Sequence, residues 1–237
     1  MHGKRNGAAA SGSRVSVIEA ALRDGRTVLS EHESKELLRA YAIPVTRERE
    51  IHDEKGFREA LSEIGFPLVV KASSPGLSHK TEHGLVHVDL RNRREAMAAF
   101  KTIMEEAGAE GASVLVQEMI RGKRELLAGL VRDEQFGPCV TFGLGGIFTE
   151  IFRDISFRVA PVDRSDVLDM IGELKAGELL EAYRGMPAAD VDQIVHLVIQ
   201  LGKIGLEQPK IKEIDTNPII LCGSRPVAVD ALVVLSK

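Results

Sequence analysis

Tryptophan is absent from these 237 residues, tyrosine and cysteine each occur twice, and aromatic residues make up only 4% of the chain. The hydrophobic share, 44%, is still enough to bury a substantial core as one domain or as two lobes. No apolar run approaches the roughly 20 residues that a bilayer requires, which excludes a membrane span. Nor is there an excess of positive charge. The net charge is −4 and the two signs are interspersed, so the chain lacks the footprint of a DNA- or RNA-binding protein. Cys139 and Cys222 lie far apart, without CxxC or Cys/His spacing, which argues against a zinc site or a disulfide framework. Both are expected to be reduced core thiols in a cytoplasmic protein. Glycine, by contrast, is plentiful, at 22 residues. The backbone has more use for close approach and tight turns than for large anchors.

Residues 1–16 are small, polar and basic, and are expected to form a mobile tail without a secretory apolar region. Ser30 and Glu33 fit a capping box, and Leu37, Leu38 and Tyr41 continue a helical stripe until Ile43-Pro44, predicting a helix over 31–41. Phe57, Ala60, Leu61 and Ile64 repeat at the same period before Gly65-Phe66-Pro67 and the buried run Leu68-Val69-Val70. Further strands are predicted around 85–90, 114–119, 125–131, 138–144 and 151–161, with helices over 94–107, 163–174 and 188–205. Two strand-like segments, 212–221 and 225–235, close the chain. A two-residue Gly223-Ser224 turn of type II′ between them makes paired positions sum to 447, which sets Asn217 opposite Asp230. Mixed strands and helices of this kind point to α+β or α/β lobes.

Alternate side chains on a strand share a face, so Glu213, Asp215 and Asn217 project together and the hairpin adds Asp230. Such oxygen donors suit Mg²⁺, which takes one or two carboxylates with phosphate oxygens and water. Ordinary surface acids on a solvent-facing strand are the plainer alternative. Lys71 is the only charge in a stretch otherwise written as core, and must either snorkel to an edge or neutralise an anion, phosphate first among candidates. Gly143-Leu-Gly-Gly146 follows a strand and would let backbone N–H groups approach a phosphate, although it is neither a P-loop nor a dinucleotide-binding fingerprint. His79 lies in the loop after Ser73-Ser74-Pro75-Gly76. A loop histidine titrates near neutrality and can attack phosphorus, but most do nothing.

From 29 to 235 the chain resembles the ATP-grasp (beta) subunit of ADP-forming acetyl-CoA synthetases, also called NDP-forming acyl-CoA synthetases, which are related to the succinyl-CoA synthetase beta subunit. The resemblance is carried by LSEHESKELLRAYAIPV (29–45), GFPLVVKASSPGLSHKTEHGLV (65–86), VLVQEMIRGKRELLAGLVRDEQFGP (114–138), FGLGGIFTEIFRDISFRVAPV (142–162), YRG (183–185) and EIDTNPII (213–220). It implies an α+β ATP-grasp fold, with a helical segment over 17–43, a smaller lobe over about 44–117 and a larger one over about 118–237 clasping ATP or ADP. It further implies that Lys71 binds phosphate, that Gln117-Glu118-Met119 meet adenine and that Glu125 holds the ribose. Gly145 and Gly146 would approach the phosphates, Asn217 and Asp230 would bind Mg²⁺, and Asp215 would contribute directly or from behind them.

By the same resemblance, His79 accepts a phosphoryl group from an alpha subunit and delivers it to ADP, in a hetero-oligomer such as α2β2. The overall conversion would take acyl-CoA, phosphate and ADP to acid, CoA and ATP. His83 and Ala182 stand where the family usually shows glycine. Two rival readings are a nucleotide-binding regulatory module without turnover and a succinyl-CoA synthetase-type beta subunit. The intact Lys71, His79, Asn217 and Asp230 disfavour the first. The HKTEHG motif and compact length disfavour the second.

Overall fold

The computed structural model describes residues 17–73, 85–106, 113–146 and 154–236. They fall into two units. The smaller comprises Ser30–His32 and Thr46–Ile120, and the larger comprises the chain up to Leu29, Glu33–Val45 and everything from Arg121 onward. Residues 17–23 form helix α1 and Glu31–Ala40 form α2, which stops just ahead of Ile43-Pro44 as the sequence predicts.

The smaller unit is a four-stranded antiparallel sheet with strands β1 (Glu48–Ile51), β2 (Leu68–Ser73), β3 (Val86–Leu90) and β4 (Ser113–Glu118) in the order β1-β4-β2-β3. Strand β2 lies between two neighbours and is buried along its whole length, which is why its sequence reads as a continuous apolar run rather than an alternation. Helices α3 (Glu54–Ile64) and α4 (Arg93–Glu106) bury the stripes Phe57-Ala60-Leu61-Ile64 and Ala96-Ala99-Phe100-Ile103. Phe57 and Phe100 meet with ring centroids 4.4 Å apart and join the strand valines in one core. Asp53 caps α3 by accepting a 2.7 Å bond from the Gly56 amide.

The larger unit contains β5 (Glu125–Asp133), β6 (Gly137–Leu144), β7 (Ile155–Val159), α5 (Arg164–Glu173), α6 (Val191–Glu207), β8 (Ile211–Cys222), β9 (Arg225–Ala228) and β10 (Leu232–Leu235). Its sheet is antiparallel, in the order β10-β8-β5-β6-β7, with β9 also paired to β8. The apolar face of α6 (Ile194, Val195, Leu197, Val198, Leu201, Ile204) shares a core with Leu126, Ala128 and Leu130 of β5 and Val140, Phe142 and Leu144 of β6. The alternate residues of β5 and β6 therefore face away from α6, and across the ladder that face continues through Gly129 to Asp215 and Val131 to Glu213.

The last two segments keep the predicted register. Ile219 pairs Ala228 and Cys222 pairs Arg225. Gly223, with φ 66°, opens the turn in the left-handed region that glycine alone enters freely. The second segment is not one strand, however. It breaks at Val229–Ala231 and resumes as β10 in the same register, Leu232 against Asp215. Across the break the Val229 amide donates to the Pro218 carbonyl at 3.0 Å, so Asn217 and Asp230 remain opposed. Cys222 is not a core thiol. It ends β8 beside the turn and is exposed, while Cys139 is half-buried, and among the described residues both thiols are free. Among the described residues no helix is long and apolar enough to cross a membrane.

Candidate functional site

Lys71 occupies the centre of β2, opposite Leu115 of β4 and Val86 of β3. Burial leaves only 7% of its side chain accessible, so snorkelling is not the answer to its charge. Its Nζ donates to Glu31 Oε1 at 2.7 Å, and that carboxylate is itself 3% accessible. The carboxylate comes from the first residue of α2. The next residue, His32, places Nδ1 3.0 Å from Glu48 Oε1 on β1. Sequence reasoning counted Glu31 only as the start of a helix. A lysine inside an all-core strand demands a counter-charge, but nothing local says which of the many acids supplies it.

At the end of β4, Gln117 is fully buried and registers with Val69 and Glu48. The Glu118 carboxylate accepts from the Arg47 amide at 2.8 Å and from Arg47 Nε at 2.9 Å, while the Glu118 amide donates to the Arg47 carbonyl at 3.0 Å. The Met119 amide donates to the Pro67 carbonyl at 3.3 Å. Proline has no N–H to return that bond, so this rung leaves the Met119 carbonyl without its ladder donor.

In the larger unit, Glu125 opens β5 with an exposed side chain, and the two glycines after β6 lie against it. The Gly145 amide donates to the Glu125 carbonyl at 2.7 Å. A Cβ on Gly145 would come within 3.0 Å of the Glu125 and Leu126 backbones, and one on Gly146 within 3.1 Å of Glu125 Oε2. Only glycine leaves this cradle open. Arg124, one residue earlier, points inward and is buried. Its guanidinium donates to four carbonyls: Leu179 at 3.0 Å, Glu181 at 3.2 Å, Pro187 at 2.6 Å and Gly223 at 3.2 Å. It thus fastens both the 179–187 segment and the β8–β9 turn. Within that segment Tyr183 and Met186 close a tight turn through Arg184 (φ 46°) and Gly185 (φ 80°), with the Arg184 guanidinium 5.1 Å over the Tyr183 ring.

Asp215 and Asn217 project from the exposed side of β8, with Asp230 half-buried opposite. Crowding by protein atoms, then the charges of Glu213 and Asp230, push the Asp215 carboxyl up to about 6, although the residue keeps an open edge to solvent. Asp230 Oδ1 accepts from the Ala231 amide at 2.8 Å. Among the described residues no three acids, histidines or cysteines form a preassembled metal cage. Glu213 raises the charge of the patch without closing one. Two mutually repelling carboxylates and an amide oxygen fit a hard cation whose other ligands arrive with a substrate. His79 lies outside the described residues.

The model of the ATP-grasp domain family matches residues 20–235, and the two antiparallel sheets with their helices are the fold of that class. The beta subunit of acetate–CoA ligase [ADP-forming] I from Pyrococcus furiosus is 41% identical over 224 residues, covering 92% of this chain and 96% of that one. The acetate–CoA ligase [ADP-forming] I of Archaeoglobus fulgidus is 35% identical over 93% of this chain, which spans 33% of its length. Acetyl-coenzyme A synthetase 1 of Ca. Korarchaeum cryptofilum is 42% identical, over 94% of this chain and 100% of the matched one, with a TM-score of 0.84. It was solved with coenzyme A and Mg-AMPPCP, its phosphohistidine segment pointing towards the nucleotide binding site. This chain belongs to the ATP-grasp family of ADP-forming acetate–CoA ligase beta subunits.

Proposed function

We propose that this chain is the nucleotide-binding beta subunit of a cytoplasmic ADP-forming acyl-CoA synthetase that works with a CoA-binding alpha subunit, in an assembly such as α2β2. The observation that carries this reading is the buried Lys71, a cation inside the otherwise uncharged strand β2, in a chain that matches a ligase beta subunit almost end to end. The threefold longer Archaeoglobus relative supports an alpha partner, because this chain's counterpart there is one part of a larger polypeptide.

Acyl-CoA and phosphate give acyl phosphate and free CoA. The phosphoryl group passes to a histidine of the alpha subunit with release of the acid, then to His79, and last to the β-phosphate oxygen of ADP, restoring His79 and forming ATP. Phosphoryl transfer depends on positioning and charge neutralisation, and the residues divide accordingly. Lys71 meets phosphate charge. The Met119 carbonyl accepts from the adenine amino group, in place of the Glu118 carboxylate, which Arg47 occupies. Gln117 packs beneath that edge. Glu125 accepts from ribose hydroxyls, and Gly145 and Gly146 keep the space beside it clear. Asp215, Asn217 and Asp230 hold Mg²⁺, which neutralises charge on the phosphate oxygens.

The test combines this chain with an alpha subunit, acetyl phosphate and Mg-ADP. ATP should form, and His79→Ala should abolish ATP formation while leaving calorimetric ADP binding unchanged. Undiminished turnover by the variant would refute the relay.

A further inference from the structure

The Lys71–Glu31 pair raises a question that charge neutralisation alone does not answer. If Lys71 meets nucleotide phosphate, an acid already on its ammonium should oppose that task, since the pair is neutral as a unit. Three observations indicate otherwise. The 2.7 Å bond joins side chains that are 7% and 3% accessible, so Glu31 is not a passing surface contact. Glu31 is held from its own side as well, because the neighbouring His32 bonds to Glu48, whose side chain is fully buried. Lys71 itself sits between Leu115 and Val86, where an ammonium without a counter-charge would shed its proton or fold back. A lysine stem has four rotatable bonds and a point charge at its tip. A fixed carboxylate within the strand's reach determines both where that tip lies and that it stays charged. An ammonium has three N–H donors, so a bond to Glu31 is compatible with bonds to phosphate.

We infer that Glu31 is a positioning residue for nucleotide phosphate: it acts through Lys71, holding the ammonium charged and aimed, without touching the nucleotide. This rests on the proposal that Lys71 meets phosphate. It adds the first turn of α2 to the apparatus that selects phosphorylated nucleosides.

A double-mutant cycle on the full-length chain tests it, with calorimetric titration of Mg-ADP and of adenosine, which offers base and ribose but no phosphate. Glu31→Gln should raise the Mg-ADP dissociation constant at least tenfold and leave that of adenosine within twofold. In a Lys71→Met background the same Glu31→Gln change should alter Mg-ADP binding less than twofold, because the group it acts through is gone. Should Glu31→Gln fail to fold, Glu31→Asp, shorter by one methylene, should still weaken Mg-ADP severalfold and spare adenosine. Equal losses for both ligands would mean a purely structural role and overturn the inference. So would tighter Mg-ADP binding, which would make Glu31 a competitor of phosphate, and so would a further tenfold loss in the Lys71→Met background, which would mean direct contact. If Lys71→Met itself binds Mg-ADP normally, the Lys71 reading fails. If Lys71→Met is impaired while Glu31→Gln is not, only the positioning role fails.

Discussion

The two units offer contrasting ways to hold a buried charge. In the smaller one, side chains answer side chains: Lys71 with Glu31, Glu48 with His32, and Glu50 with the hydroxyls of Ser73 and Ser113, both at 2.8 Å. In the larger one, Arg124, Arg132 and Asp154 answer backbone instead. Arg124 takes four carbonyls, Arg132 takes those of Gly205, Gln208 and Ile211, and Asp154 accepts from the Lys175 and Ala176 amides at 2.8 and 3.0 Å. A charge bound to several main-chain groups staples segments together and has no reason to exchange partners. A charge that answers side chains, which can turn, keeps the capacity to meet a ligand as well. The larger unit gathers like charge elsewhere, in Asp215 beside Glu213 and Asp230, where mutual repulsion makes a cation welcome.

The sharpest way to break this contrast is Arg124→Met. It removes four charge-assisted hydrogen bonds that fasten two segments, and should cost roughly 3 kcal/mol of stability in urea titrations. The double change Glu31→Gln with Lys71→Met, which removes a whole side-chain pair, should by comparison be nearly neutral. If the two cost the same, the distinction between staple and ligand-ready pair collapses. Next in size, Asn217→Ala or Asp230→Ala should weaken Mg-ADP at least tenfold, about 1.4 kcal/mol, by calorimetry, with little effect on ADP binding in EDTA. Parent-like affinity would remove those residues from the metal site.

The smallest effect concerns pH. The folded-state value of Asp215, about 6, lies above its ordinary 3.8. The folded chain therefore binds that proton more tightly than the unfolded chain. Its contribution to stability is fully present below the ordinary value and is lost as pH rises through about 6. Solvent screening keeps this below about 1 kcal/mol. Thermal unfolding in EDTA should show that Asp215→Asn flattens the decline across this window. An unchanged slope would mean that the neighbouring acids do not crowd Asp215.

Much of this was legible locally. Period and punctuation located α3, β2 and α6 to within a few residues, since those signals lie within one element. Strand β1 was missed because Glu48-Arg49-Glu50 has no apolar alternation. It becomes a strand only by pairing with β4, and its charges are then taken up by His32, Glu63 and the two serines. The break at Val229–Ala231 was equally invisible, because apolar residues flank Asp230 on both sides without a proline or glycine to mark it.

By itself the sequence determined most of the secondary elements, the hairpin arithmetic that opposes Asn217 to Asp230, and the oddity of a lysine written into a core strand. These depend on neighbours within a few residues or on a single turn, where geometry leaves few choices. Only the tertiary structure decided that Lys71 belongs with Glu31, 40 residues away, and that Arg124 belongs with carbonyls up to 99 residues away. Such partners are selected by chain packing among many chemically equivalent acids and carbonyls, and no local pattern distinguishes them.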